Sequence, residues 1–335
     1  MNTRRDFIKS SLAVGAGITL TGSALGKVRG NQNEEIRIGV IGLDTSHSPA
    51  FAKTINGTKE SMNGFKIVAA YPHGSSTIKS SYERIPRYTK EYEDMGISIE
   101  KSIKSLLKKV DVVLLETNDG TLHLEQAIEV MEAKKPVFID KPVAASLKDT
   151  LKIYDLAKKN NVPLFSSSSL RYFENAEKIR SREGIGEVLG ADTFGPMSVE
   201  PSHSDLFWYG IHGTEALFTI LGTGCKSVRR VTVGNTELVV GEWDGGILGN
   251  FRGHMTGKSG YGGIVYGTEG TMLTGKYGGY EPLVEEIITF FKTGKSPVPA
   301  KETLEIYAFM EAAMMSRKRN GAVVTIEEAM EEARG

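Results

Sequence analysis

A single cysteine, Cys225, is the scarcest feature of this 335-residue chain. One thiol can neither close an intramolecular disulfide nor build a cysteine zinc cluster, and a lone cysteine is ordinarily a small buried hydrophobe. An excess of either charge is also missing, because 41 basic and 41 acidic side chains cancel and no long run of one sign occurs. Such a chain offers no basic surface to a polyanion, so no nucleic-acid partner is expected. Long apolar runs are absent too: the stretch 11–26 is short and rich in Gly, Ser and Ala, which makes it a poor membrane span. What remains, 40% hydrophobic and 24% charged residues, is an ordinary globular composition, and the length favours two domains.

The first 30 residues stand apart. Arg4 and Arg5 precede Phe7, Ile8 and Lys9, and the weakly apolar run follows. This segment resembles a twin-arginine export signal with its linker. The resemblance implies the twin-arginine translocation machinery as a partner and a periplasmic or otherwise exported location. Small residues at 24–26 suit cleavage, but no AxA site is present, so a retained membrane anchor is the alternative. That route carries folded proteins, so a nucleotide used outside the cytoplasm has to travel bound.

From residue 31 the sequence alternates short Val-, Ile- and Leu-rich runs with helix-like periodicity. Strands are expected at 36–41, 66–70, 111–116, 136–139 and 162–165, with helices at 49–56, 99–108, 122–131 and 147–160. Right-handed crossovers would stack these into a Rossmann-like doubly wound parallel sheet, a first domain spanning 31–165. The serine run in "FSSSSLRYF" marks the boundary. Beyond it, residues 166–335 alternate a helix at 174–182, a strand at 187–193, a helix at 209–221, Gly-interrupted strands between 227 and 273, and helices at 282–292 and 301–319. That order predicts an α+β domain with an open, largely antiparallel sheet.

Four segments, "IRIGVIGL", "ETNDGTLHLEQAIEVMEAKKPVFIDKPVAAS", "RYFENAEKIRSREGIGEVLGA" and "WYGIHGTEALFTILG", resemble in order and spacing the Gfo/Idh/MocA family of glucose-fructose and inositol oxidoreductases. The most specific is the run through Asp140, Lys141 and Pro142, which matches the family's Glu-Lys-Pro motif with a conservative first position. The resemblance implies tightly bound NAD or NADP, a sugar, polyol or glycoside as substrate, and association into a homo-oligomer. It does not fix the reaction.

The nucleotide loop departs from pattern. A dinucleotide fingerprint uses glycine for a tight turn, for close backbone approach to the diphosphate and for helix–strand packing. Gly42 meets the first need, but Asp44 and His47 occupy the other two positions, where charge and bulk are expected to oppose phosphate and helix packing. No acidic residue ends the second strand; Tyr71, Pro72 and His73 stand there. Either the nucleotide remains, held by Thr45, Ser46 and the helix N-terminus, or the scaffold has lost it.

Among candidate catalytic residues, Lys141 lies where the resembling family places a lysine between nicotinamide and substrate. Pro142 restrains its backbone, and desolvation would bring its pKa toward the range useful for proton transfer. His212 matches the family's second acid/base residue, while Trp208 replaces the usual aspartate four positions earlier, leaving Asp205 or His203 to substitute in a relay or the indole to stack on a sugar. Asn118, His123 and Asp140 match cofactor-side positions, and Arg171 and Tyr172 match a pair opening the second domain that could line the substrate pocket. The cluster His203, Asp205, His212 and Glu215 matches no metal-ligand spacing, so no metal is expected. The two functional readings are thus an exported oxidoreductase, with a redox-neutral net reaction as one form it can take, and a non-catalytic carbohydrate-binding protein on a degenerate scaffold.

Overall fold

The computed structural model describes residues 35–335, so the segment that resembles an export signal lies outside the described residues. The first unit runs β1 (Ile36–Ile41), α1 (His47–Ile55), β2 (Phe65–Tyr71), α2 (Lys79–Tyr82), α3 (Ile85–Asp94), β3 (Ser98–Ile99), α4 (Ile103–Leu107), β4 (Val112–Leu115), α5 (His123–Glu132), β5 (Val137–Ile139), α6 (Leu147–Asn160) and β6 (Leu164–Phe165). Its six strands are parallel in the order β3-β2-β1-β4-β5-β6. Strand order reverses between β1 and β4, and the crevice outside the carboxyl ends of strands at such a switch point is where open α/β sheets bind ligands. Val112 to Leu115 are all buried, as expected of a strand covered by helices on both faces.

One local expectation fails for an identifiable reason. The apolar run at 99–108 is not one helix: Ile99 closes the edge strand β3 beside Ala70, and the Ser102 hydroxyl then caps α4 by accepting the Ser105 N–H at 3.1 Å. Helix α3 has no counterpart among the expected elements; it packs a narrow face, with only Tyr88 and Tyr92 of its ten residues buried.

The second unit holds α7 (Ala176–Arg180), β7 (Val188–Pro196), α8 (Ile211–Leu221), β8 (Cys225–Val233), β9 (Thr236–Trp243), β10 (Ile247–His254), β11 (Gly262–Gly267), β12 (Thr271–Leu273), α9 (Glu281–Thr293), α10 (Ala300–Lys318), β13 (Val324–Thr325) and α11 (Ile326–Arg334). Its seven strands follow the order β12-β11-β7-β10-β9-β8-β13, and every pairing except β7 with β10 is antiparallel. Helix α8 is buried against this sheet, where Gly213 lets the Phe251 ring close in: a Cβ there would lie 2.1 Å from the ring. On the opposite face Phe194, Leu248 and Tyr266 are exposed. The division along the chain is not followed strictly in space, since α9 returns to the first sheet, where Phe290 meets Phe165 at 5.6 Å between ring centroids.

Candidate active site

At the switch point Gly42 has φ +91°, and a Cβ there would sit 2.5 Å from the Thr117 backbone. Only glycine lets the loop after β1 lie this close to the loop after β4. Asp44 then turns inward and is fully buried. Its carboxylate accepts the backbone N–H of Ser75 at 2.9 Å and of Asn118 at 2.9 Å, which ties together the loops following β1, β2 and β4. Gly74 makes room for it, because a Cβ at 74 would lie 2.1 Å from the Asp44 carboxylate. Burial pushes the Asp44 pKa up to about 6 against the pull of these amides, and the nearby Asp119 charge adds to the rise.

His47 does not force α1 off the sheet, as its bulk suggests in sequence. Its ring turns along the strand ends, stacks on Phe51 at 5.6 Å, and places Nδ1 2.6 Å from Asp140 Oδ2. The helix is instead latched by the Ser48 hydroxyl, which donates to the Gly42 carbonyl at 2.9 Å. Burial alone would raise the Asp140 pKa, but the charges of His47 and Lys141 hold the carboxyl below its ordinary value.

Asp140 also accepts the Lys141 backbone N–H at 2.8 Å, fixing the start of the Lys141–Pro142 dipeptide, whose peptide bond is cis. The Lys141 ammonium lies 5.4 Å from the Tyr209 ring centroid and makes no hydrogen bond among the described residues. Burial lowers its pKa, with Asp140 opposing. Facing the same cavity from the second unit is His212, whose Nδ1 is 2.7 Å from the Ser168 hydroxyl. Burial, then the charges of Lys141 and His47, push the imidazole well below its usual pKa. His212 is therefore expected to show no imidazolium signal between pH 8 and pH 6 in ¹⁵N NMR of the labelled protein; titration near 6.5 would contradict this environment.

Lys141 and His212 open into one cavity of about 410 Å³, together with Thr45, Ser46, Asn118 and Trp208. Its remaining wall contains tyrosines, Tyr209, Tyr261, Tyr277 and Tyr280, that sequence reasoning did not assign. The serine run read as a domain boundary is buried at this site as well: Ser168 meets His212, and Ser167 donates to Glu215 at 3.0 Å. Nothing in the local pattern distinguishes these serines from a linker.

Other expected site residues are placed elsewhere. His123 is fully buried, with Nε2 2.6 Å from the Thr117 carbonyl oxygen and Nδ1 3.2 Å from that of Val143; it braces the strand-end loops and does not line the cavity. Arg171 is committed to Glu215 at 2.9 Å and Glu302 at 2.6 Å, and Tyr172 packs against the core of the first unit, so neither lines the cavity. Asp205 pairs with Arg230 at 2.9 Å and Arg317 at 2.5 Å and does not line the cavity. His203 joins the loop after β4, where Nε2 accepts the Gly120 N–H at 2.9 Å, and its ring packs on Trp208 at 4.8 Å. Burial lowers its pKa to about 4. With His203, Asp205, His212 and Glu215 each drawn to different partners, no group of metal-binding side chains forms among the described residues.

Comparison with known proteins agrees with this architecture. Residues 36–168 match the model of the GFO_IDH_MocA oxidoreductase family with its NAD-binding Rossmann fold. A myo-inositol 2-dehydrogenase of Thermotoga maritima is 27% identical over 183 residues, 53% of this chain and 49% of the relative. A 2,7-anhydro-N-acetylneuraminate hydratase of Escherichia coli is 33% identical over 89 residues, 26% of this chain and 24% of that protein. The matched segments thus span half or less of these curated relatives. In fold, the chain resembles the myo-inositol dehydrogenase of Lactobacillus casei, crystallised with NAD(H) and myo-inositol: TM-score 0.69, 16% identity, 87% of this chain and 96% of that one. The cleft described above offers such a nucleotide the mouth formed by Thr45, Ser46 and Asn118, while the Gly42 turn is packed against Thr117 and lies outside the cavity wall. The contact normally offered by the second glycine is the part that has changed.

Proposed function

We propose, on the premise that residues 36–168 are the NAD-binding Rossmann domain of the Gfo/Idh/MocA oxidoreductase family, that this chain oxidises a sugar, polyol or glycoside with tightly held NAD(P). The observation that carries this reading is that Lys141 and His212, from two different units, face one cavity at the carboxyl ends of the parallel strands. Thr45, Ser46 and Asn118 would hold the nucleotide, with Gly42 making the turn that brings them there, and Asp140 would position Lys141 through its backbone amide. When bound, the nicotinamide supplies an acceptor for hydride from a carbinol carbon. Lys141, its charge disfavoured by burial, would take the proton of that carbinol, and neutral His212, oriented by Ser168, would accept or return a proton at the neighbouring oxygen. Trp208 and the tyrosines offer flat faces to a sugar ring.

A redox-neutral net reaction, in which oxidation, elimination or hydrolysis, and re-reduction occur at one site, suits a nucleotide that cannot exchange. The export signal and the hydratase among the relatives support it. The same signal supports a periplasmic or otherwise exported location reached through the twin-arginine machinery. The uncovered sheet face bearing Phe194, Leu248 and Tyr266 supports a homo-oligomer.

The Asp44 carboxylate on the loop amides favours one second reading, a carbohydrate-binding protein without turnover. To decide between them, the protein is purified natively and denatured, and the released small molecules are identified by mass spectrometry. About one NAD or NADP per chain is expected. No released nucleotide, together with no calorimetric binding of either one, would sink the oxidoreductase reading.

A further inference from the structure

Resting on the nucleotide reading above, we infer that the His47 side chain, which breaks the glycine pattern, is itself a ligand of the dinucleotide's diphosphate at the N-terminus of α1. The loop around that seat leaves it open. Asp44 turns its carboxylate onto the amides of Ser75 and Asn118, in the loops after β2 and β4, and takes none from α1. Helix α1 has no acidic residue in its first turn and no side-chain cap from Ser46, so its first amides remain available to an anion. His47 adds a donor of its own.

His47 opens α1, is 7% exposed, and lines the same cavity as Thr45, Ser46 and Lys141. Its Nδ1 lies 2.6 Å from Asp140 Oδ2, and because an ionised carboxylate only accepts, Nδ1 is the donor of that pair. Nε2 makes no hydrogen bond among the described residues, so it is the edge that the ring presents to the cavity. Phe51, stacked at 5.6 Å, and Tyr280, edge-on at 4.6 Å, fix the ring in this orientation. The charge of the doubly protonated ring is balanced by Asp140, and Nε2–H is then a charged donor at the seat. Such a cation answers an electrostatic need. Burial, then the charge of Asp140 and after it that of Asp44, push the pKa of the fully buried Glu116 well above its ordinary value, so the ends of β1, β4 and β5 are crowded with carboxyls. A diphosphate brought there is repelled unless a cation stands with it, and His47 is the cationic side chain in the first turn of α1. The side chain that replaces the third glycine thereby adds a contact where the fingerprint has only backbone.

The test is calorimetric titration of NAD, and of ADP-ribose, which keeps the diphosphate and lacks the nicotinamide. Both are titrated into the full chain, stripped of nucleotide on charcoal, and into its His47→Gln and His47→Gly variants. In His47→Gln the amide nitrogen can still donate to Asp140, so the melting temperature is expected to hold, while only the amide oxygen is left to face the cavity. That variant is expected to bind NAD and ADP-ribose about 10- to 150-fold more weakly, both to the same extent, the range for losing a charged hydrogen bond. His47→Gly, which restores the glycine of the fingerprint, is expected to bind both more weakly than the parent as well. Unchanged affinity of His47→Gln for both ligands would overturn the inference. So would a loss for NAD with none for ADP-ribose, which would assign His47 to the nicotinamide end. A gain of about tenfold or more in His47→Gly would also overturn it, showing that the ring merely obstructs the seat. Each of these results leaves the oxidoreductase reading standing, whereas no binding of NAD to any form removes both. If His47→Gly does not fold, His47→Gln decides alone.

Discussion

Replacing Lys141 with methionine is expected to lower turnover by about 10²- to 10⁴-fold, the usual contribution of a positioned acid/base group, while the nucleotide stays bound. The side chain supports little of the fold, since the ammonium has no hydrogen-bond partner among the described residues and its contact is the Tyr209 ring. Its environment is arranged to make the amine give and take a proton. Burial disfavours the ammonium, and the nearest carboxylate, Asp140, is already engaged at 2.6 Å by His47 and so opposes that shift only in part. Because the pKa is lowered, the neutral amine becomes available at lower pH than for a lysine in water. The limb of the rate profile that reports its deprotonation therefore lies below 10.5. Lys141→Arg should fall with Lys141→Met, because a guanidinium keeps the charge but does not release its proton at working pH. Single-turnover conversion of a panel of sugars and glycosides, with retained nucleotide measured alongside, checks both variants. Unchanged turnover in Lys141→Met, or a loss confined to affinity, would favour the binding-protein reading.

The largest expected effect on stability lies away from the cavity, at Arg230. Its side chain is 1% exposed, donates Nε to Glu237 at 2.8 Å, and grips both oxygens of Asp205 at 2.9 Å. Glu237 has no exposed surface and no other cation to turn to, whereas Asp205 keeps Arg317. Arg230→Met therefore strands a buried carboxylate and is expected to cost about 3–5 kcal/mol in urea unfolding. Removing the second charge as well, in Arg230→Met with Glu237→Leu, should recover most of that loss, because a well-packed apolar pair avoids the desolvation of both ions. A double variant as unstable as the single one would mean that the guanidinium matters through its packing instead. Asp205 directly precedes the π-helical turn Leu206–Gly210, which carries Trp208 and Tyr209 into the cavity wall. The network is thereby tied to the site through positioning, which is a different role from the substrate contact its sequence position suggests.

Asp205 illustrates where sequence reasoning stops. Its spacing from His212 made it a candidate relay, but the partner that claims it, Arg230, lies 25 positions away on β8. Arg171 and His123 behave alike: each matches a site position, and each is used internally because a buried charge or ring must find a partner within reach. The reverse holds for the tyrosines of the cavity wall, which sit in segments with no motif and reach the site only when strand ends and loops converge.

By itself the sequence determined the alternation of strand and helix, the parallel sheet and the largely antiparallel second sheet, and its resemblance to a known family pointed to Lys141 and His212. Each of these rests on local periodicity or on a short motif, and such signals need no knowledge of distant partners. Only the tertiary structure decided what the altered loop does. That Asp44 closes onto amides from two other loops, and that His47 bonds a carboxylate 93 residues away, are consequences of bringing the carboxyl ends of β1, β2, β4 and β5 together. A buried carboxylate settles where the nearest unsatisfied donors are, and their positions are set by the packed fold, not by the order of residues along the chain.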